Sequence, residues 1–313
     1  MNSNVLSLPR LTIEHPLNRI LRAKHEVHDN KVSISEGQWK ADFWGLNLVS
    51  VFEKLSVGKK SKIVCILSRS LIQEAYFIEK GAMLMMSRFA VEAKFAEERA
   101  LFSIFAADEA KHFLALKPFY IDSEQAGESN GFLNEMAKIS SEASQLCAIY
   151  ILQVILEGWG LWHYKALAAA TTNECLKKIF EEIIHDEASH HGAGVMIGKH
   201  NEKDFLHLPI QLEISGHLKN LLHMIRIGPI RIFTALSSEV PSFSYEKIKD
   251  ILIQLNSKEV VVSQLEIIAR LIGQGPVPKI FMDSIKDLLV APSVDEMASA
   301  LEALFQNKSL VVE

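Results

Sequence analysis

Little in this chain of 313 residues interrupts a helix or cross-links a fold: it holds nine prolines, fifteen glycines and three cysteines. The cysteines, Cys65, Cys147 and Cys175, are far apart and form no CxxC, which excludes a disulfide scaffold and a zinc knuckle. A basic excess is also missing. Lys and Arg number 33 against 38 Asp and Glu, a net charge of -5, so neither nucleic acid nor an anionic membrane is an expected partner. The first twenty residues contain no basic stretch followed by an apolar core, and no uncharged apolar run reaches roughly eighteen residues, the length that spans a bilayer. The chain therefore reads as a soluble cytoplasmic protein. What it has in quantity is apolar residues, 49% of the whole, enough to close a sizeable core.

Those apolar residues recur at intervals of three and four, the helical period, which predicts an all-α protein. Long helices are expected over about Gly58–Arg88, Ala93–Leu116, Phe132–Ala170 and Asn173–Gly198, the third being the longest and the last capped by Thr172 or Asn173. A polar loop, Asp122–Asn130, separates the second from the third. Residues 1–57 form an N-terminal segment with one short helix near Trp39–Leu55, residues 58–200 a four-helix bundle, and residues 201–313 a helical extension. Breaks in that extension fall at Pro229, Pro241, Gly275-Pro276 and Pro292. Its stretch Leu218–Leu236 sets Lys219, Arg226 and Arg231 among aliphatic residues, a pattern suited to covering a pocket mouth, packing on the bundle or forming a dimer seam.

A repeat runs through the bundle. Asp108-Glu109-Ala110-Lys111-His112 returns as Asp186-Glu187-Ala188-Ser189-His190, and the same shift carries Glu79 onto Glu157, Leu101 onto Ile179 and Phe102 onto Phe180. Each Glu-x-x-His pair thus has a glutamate upstream at one common distance. By composition alone roughly one Glu-x-x-His is expected in such a chain, and Glu182–His185 is a copy without an upstream glutamate, because position 152 is Leu. The five-residue form occurring twice, with both upstream glutamates in register, is expected far less than once in about a hundred such chains.

Residues three apart on a helix lie about 60° apart around the axis and roughly 4.5 Å along it, so Glu109 with His112, and Glu187 with His190, each share a face. The upstream spacing lets a helix run up, turn and return, bringing Glu79 level with Glu109 and Glu157 level with Glu187. Four carboxylates and two imidazoles would then converge inside the bundle, a donor set that suits two iron or manganese ions better than zinc. Independently, Glu157 sits in Leu146–Trp162, which is apolar nearly all round, where an isolated carboxylate is costly unless paired or metal-bound. The alternative partner for Glu157 is an arginine or histidine in an ordinary helical core. Glu79, followed by Gly81, Ala82, Met83, Leu84, Met85 and Met86, is in a similar but less extreme setting.

This pattern resembles the ferritin-like di-iron carboxylate superfamily, which includes bacterioferritins, rubrerythrins, ribonucleotide reductase small subunits and soluble oxygenases. The resemblance covers about residues 60–200. It implies a ferritin-like four-helix bundle in which Glu79 and His112 serve one metal, Glu157 and His190 the other, and Glu109 and Glu187 bridge them. Asp108 and Asp186 resemble the acids that orient the histidine of the opposite pair. Glu74 is an alternative to Glu79 as the first-helix ligand, although it projects about 140° away around the helix. Tyr164 resembles the tyrosine that ferritins place near their metals, and Tyr76 shares the face of Glu79; each is a candidate for radical or hydrogen-bonding roles. His163, His185 and His191 are further candidate ligands. Members that oxygenate nitrogen carry a histidine where this chain has Ile183, a departure from that branch.

The expected activity is that of an O2-dependent di-metal oxidase or oxygenase acting on a small organic substrate, with two Fe ions, or Mn, or a mixed pair. No flavin or nicotinamide fingerprint is present, so reductant would come from an external donor or from the substrate. Gly81, Gly158 and Gly160 inside helices mean close helix approach or room for a ligand. Two other classes compete: iron oxidation, storage or peroxide removal in the manner of ferritins and rubrerythrins, and a non-catalytic helical scaffold. Ferritin subunits are shorter, and no rubredoxin-type CxxC occurs here. A homodimer is compatible with such a bundle.

Overall fold

The computed structural model describes residues 16, 17, 20, 21, 37–120, 131–275 and 279–309. The loop expected over Asp122–Asn130 and the break at Pro276 lie outside them. The fold is all-α. Among the described residues the only strand-like pairing is an isolated antiparallel bridge between Trp39 and Thr171. Three short helical turns, Ala41–Trp44, Leu46–Leu48 and Ser50–Glu53, stand where one short helix was expected, because Gly45 takes a left-handed conformation between the first two.

The bundle consists of α1 (Val57–Glu92), α2 (Ala96–Leu116), α3 (Gly131–Glu142), α4 (Gln145–Ala170) and α5 (Glu174–His200). Helix α1, at 36 residues, is the longest, and the stretch expected as one helix from Phe132 to Ala170 is two. The break falls at Ala143–Ser144 for a tertiary reason. Glu213 accepts hydrogen bonds from the Ser144 N–H (2.9 Å) and hydroxyl (2.5 Å), while Ser144 Oγ caps the next turn at the Cys147 N–H. Helix α5 begins at the cap Asn173, whose side chain accepts from the Cys175 and Leu176 N–H groups.

Helix α4 is not α-helical throughout: Ile149–Leu156 is wound as a π-helix, and the ordinary winding resumes at Glu157. Helix α5 lies close against this wide segment. A Cβ on Gly194 would sit 2.7 Å from Gln153 Cβ, so only glycine lets the two backbones approach. By length and composition α4 is apolar enough to cross a membrane, contrary to the expectation that no stretch of the chain is; here it packs as a core helix against α5 and the extension.

The extension comprises α6 (Leu208–Arg226), α7 (Ile230–Leu236), α8 (Tyr245–Gln254), α9 (Ser257–Ile272), α10 (Lys279–Ile285) and α11 (Val294–Ser309). It lies on the bundle, α6 against α3, α7 against α1 and α9 against α4. Phe233, Leu252, Leu265 and Leu301 of the extension join Ile63, Phe102 and Ile151 of the bundle in one buried apolar cluster. A second cluster, rich in aromatics, gathers Trp39, Tyr76, Phe119, Tyr164 and Phe180 at the other end of the bundle.

Candidate metal centre

Helices α1, α2, α4 and α5 aim one polar set inward between the two apolar clusters. Glu79, Glu109, His112, Glu187 and His190 are all buried, the two most exposed at 4% and 3%. Glu157 is half-buried as a residue, but both its carboxylate oxygens are shut off from solvent. The donor atoms fall into two overlapping groups within 4.8 Å: Glu79, Glu109, His112 and Glu187, then Glu109, Glu157, Glu187 and His190. Glu109 and Glu187 belong to both. The structure thus brings together the six side chains that the repeat pairs.

Each imidazole turns Nδ1 into the cluster. His112 Nδ1 lies 3.1 Å from Glu79 Oε2 and 3.6 Å from Glu109 Oε2; His190 Nδ1 lies 3.0 Å from Glu109 Oε1 and 3.5 Å from Glu187 Oε2. Each Nε2 turns outward to the aspartate of the opposite pair. His112 Nε2 is 3.2 Å from Asp186 Oδ2, a hydrogen bond, whereas His190 Nε2 is 3.7 Å from Asp108 Oδ2, beyond hydrogen-bonding reach. Asp108 also pairs with Lys111. Tyr164 donates its O–H to Glu79 Oε1 at 2.5 Å.

The electrostatics describe a site in which, among the described residues, only the two imidazoles and no lysine or arginine act on the carboxylates. Burial pushes the Glu79 carboxyl up to about 8, against the pull of His112 and with the push of Glu109. Burial, then the carboxylates of Glu187, Glu109 and Glu79, raise Glu157 well above the usual range. Glu109 goes the other way: burial would raise it, but the imidazoles of His112 and His190 outweigh burial and bring it down to about 2. The same carboxylates overcome burial at His112 and His190, which rise to about 11 and about 10.

Among the described residues, both oxygens of Glu109, both of Glu157, Glu187 Oε2 and both His190 nitrogens are buried without a hydrogen-bond partner. Buried polar atoms are normally satisfied, and each orphan costs about 1–3 kcal/mol. Atoms lying 3.0 Å apart yet not aligned on one another are disposed as ligands aimed at a shared third point. The residues therefore fit metal ions, and a hard oxygen-rich set with two imidazoles fits iron or manganese. No arginine or lysine takes that place at Glu157 among the described residues: the groups acting on its carboxyl are all carboxylates.

The remaining candidates lie elsewhere. Glu74 forms an ion pair with Arg231 of α7 and belongs to neither group. Tyr76 stacks on Tyr120, ring centroids 4.3 Å apart, within the aromatic cluster. His191 bridges the Gln153 carbonyl (3.2 Å) and Gln274 (2.9 Å), a clamp on the π-helical segment. His185 and Glu182 are exposed, and both line a surface pocket that reaches His112 and Asp186. His163 is forced down to about 4 by burial, and it faces Glu74 and Arg231. A separate trio, Cys147, Glu213 and His217, also brings donor atoms within 4.8 Å, but Glu213 is engaged by Ser144, and His217 bonds Glu135 at 2.6 Å. It locks the junction between α3 and α4.

Beside the site opens a cavity of about 760 Å³, into which Glu157, Glu187 and Tyr164 face. Its apolar wall includes Ile78, Ala82, Met85, Leu152, Leu156 and Trp159, and α6, α7 and α11 roof it. The two readings of the helix glycines apply at different positions. A Cβ on Gly158 would lie 2.5 Å from Leu271 Cδ2, a close approach of α9, whereas Gly160 lines the cavity and meets nothing nearer than 3.9 Å. Arg231 was visible in the sequence only as a cation among aliphatic residues. The signal that would have found the cavity is the stripe Ser70, Glu74, Ile78, Ala82 and Met85, which winds along one face of α1 from polar to apolar.

Fold and site together define an all-α bundle with a buried carboxylate–imidazole cluster able to hold metal. Among known proteins, no family model matches the chain, and no curated protein or solved structure is significantly similar to it, so the geometry carries the functional reading.

Proposed function

We propose that the protein is a di-iron or di-manganese carboxylate oxidoreductase, resembling the ferritin-like oxygenases, that activates dioxygen to oxidise a small organic substrate in the cytoplasm. The observation that carries this reading is the apolar cavity bordered by Glu157 and Glu187: a site built only to collect iron has no use for an organic pocket on its ligand edge. The bound metals would supply reducing equivalents and a Lewis-acidic centre for dioxygen. Glu79 and His112 would hold one metal, Glu157 and His190 the other, and Glu109 and Glu187 would serve both. Asp186 accepts from His112 Nε2, so the proton that a metal would displace is the one on Nδ1, which faces the centre. The Tyr164 hydroxyl holds Glu79 in place and keeps a proton beside the centre. The apolar walls exclude water from the reacting face. Reductant comes from an external donor or the substrate, and assembly as a homodimer is compatible with the reading.

Anaerobic titration with ferrous ion, followed by readmitted oxygen, tests it. Two equivalents per chain and an oxygen uptake that depends on an added organic reductant or substrate are expected. Binding of no metal returns the protein to the scaffold class. A second reading, iron oxidation or storage, is favoured by the surface pocket at His112, where Glu181, Glu182 and Asp186 outnumber Lys111 and Lys178 and leave the approach weakly acidic. Its signature is full oxygen uptake with ferrous ion alone and ferric product accumulating beyond two equivalents.

A further inference from the structure

The cavity has a direction. Helices α1 and α4 run antiparallel along it, as the pairings of Glu79 with Tyr164 and Met86 with Gln153 require. Toward one end stand Ser70 and Glu74 of α1, with Ile66 a turn beyond them, His163 of α4, and Arg231 and Thr234 of α7; toward the other stand Met85, Met136 and Leu152, with Ser140 a turn from Met136 and its hydroxyl donating to the Met136 carbonyl. Glu74 and Met85 are eleven residues apart, so the two ends are separated by about 16 Å at the helical rise. Glu157 borders the space between, six residues from His163 and thus about 9 Å along α4 from the polar end.

The polar end carries balanced charge. Arg231 and Glu74 form an ion pair, their side chains 27% and 16% exposed, so this end also touches solvent. His163, held neutral by burial, adds a dipole and no charge. A carboxylate entering here would face Glu74, with Glu157 and Glu187 further along the cavity; an ammonium would face Arg231. Either would surrender hydration without an unmatched counter-charge to meet it. A hydroxyl or amide loses little, because it can accept from Arg231 and donate to Glu74 at once.

We propose, building on the reading above, that the substrate is an amphiphile with an uncharged, hydrogen-bonding head such as an alcohol or amide. Its head is seated between Arg231 and Glu74, and its apolar body lies along α4 past Glu157. A cavity of about 760 Å³ lies within the range that encloses an organic molecule of this kind. The carbon about 9 Å from the head is then the one that lies beside Glu157.

The test is a binding series in the full-length protein, first as purified with its metal content measured, then after chelation. Decanol, decanoate and decylamine share one tail and differ only in head charge. Trp159, in the cavity wall, reports occupancy through tryptophan emission, with a thermal shift as the second readout. Decanol is expected to bind at least tenfold more tightly than either charged analogue, with or without metal. Glu74→Gln leaves Arg231 without its counter-charge and should shift preference at least tenfold toward decanoate; Arg231→Met should shift it toward decylamine. The proposal is overturned by decanoate or decylamine equalling decanol in the native protein, by no binding of any of the three, or by charge preferences that neither variant moves. Metal content is read separately. Loss of the metal reading with the head-group preference intact sinks the proposed function and leaves this pocket assignment standing.

Discussion

The two helical hairpins of the bundle, α1–α2 and α4–α5, carry the same ligands in the same register, yet their upstream glutamates live in opposite surroundings. Glu79 leaves an unbroken α-helix, is fully buried, and is held by the Tyr164 hydroxyl and His112. Glu157 follows a π-helical segment, borders the cavity, and has no hydrogen-bond partner for either oxygen among the described residues. One half of the site is fastened by protein and the other is left for ligands from outside. Metals bound here would therefore not be equivalent: the side with the unfastened carboxylate is the one on which coordination could change, and it is the side that faces the cavity.

The comparison is broken most severely by removing a shared ligand. Glu109→Ala should abolish both metal equivalents, with helicity by circular dichroism intact, because that carboxylate belongs to both donor groups; one metal retained at full occupancy would refute the sharing. Next come Glu157→Met and Glu79→Met, each of which should cost one equivalent. Without metal they diverge. Glu157→Met removes unsatisfied buried oxygens and should stabilise by about 1–3 kcal/mol, whereas Glu79→Met strands the Tyr164 hydroxyl and His112 and should destabilise by a similar amount. Thermal melts of the two variants having the same sign would erase the asymmetry.

A smaller difference is expected at the outward nitrogens. Asp186→Asn should weaken metal binding by about 10- to 100-fold, and Asp108→Asn by less, since only the first aspartate hydrogen-bonds its histidine. Equal losses in a competitive metal titration would show that the 3.7 Å contact matters as much as the 3.2 Å one.

The mildest test is pH. In the metal-free protein His112 and His190 are raised from 6.5 to about 11 and about 10, and Glu79 from 4.5 to about 8. All three favour the protonated folded form, so their stabilisation is complete below the unfolded values and is lost as pH climbs through the folded ones. Glu109, lowered to about 2, is stabilising above 4.5 and loses that contribution only as pH falls toward 2. Between pH 5 and 9 the melting temperature of metal-free protein should therefore fall. With metal bound in place of those protons, it should rise or hold over the same interval. Parallel pH profiles for the two forms would contradict the exchange of protons for metal.

The six convergent side chains were legible because helix geometry is local. A three-residue spacing fixes a shared face, and a common upstream distance fixes common height, whatever surrounds the helices. Boundaries were less legible where a distant residue sets them. Ser144 ends one helix and starts another because Glu213, on α6, takes its N–H and hydroxyl. The π-helical turn had no local signal either: Ile149–Leu156 reads as an ordinary apolar helix, and its wider winding accompanies the close seat of Gln153 against Gly194. Glu74 was a reasonable rival to Glu79 on spacing, and its exclusion depends on an arginine 157 residues away.

From sequence alone came the all-α class, the helices that matter, and the set of carboxylates and imidazoles, because backbone periodicity and side-chain chemistry are properties of short segments. Only the tertiary structure decided that Glu157 stays unpaired, that the extension roofs a cavity against it, and that Arg231 meets Glu74 at its end. Those features depend on which atoms from distant segments share a space, and on what burial in that space does to a charge.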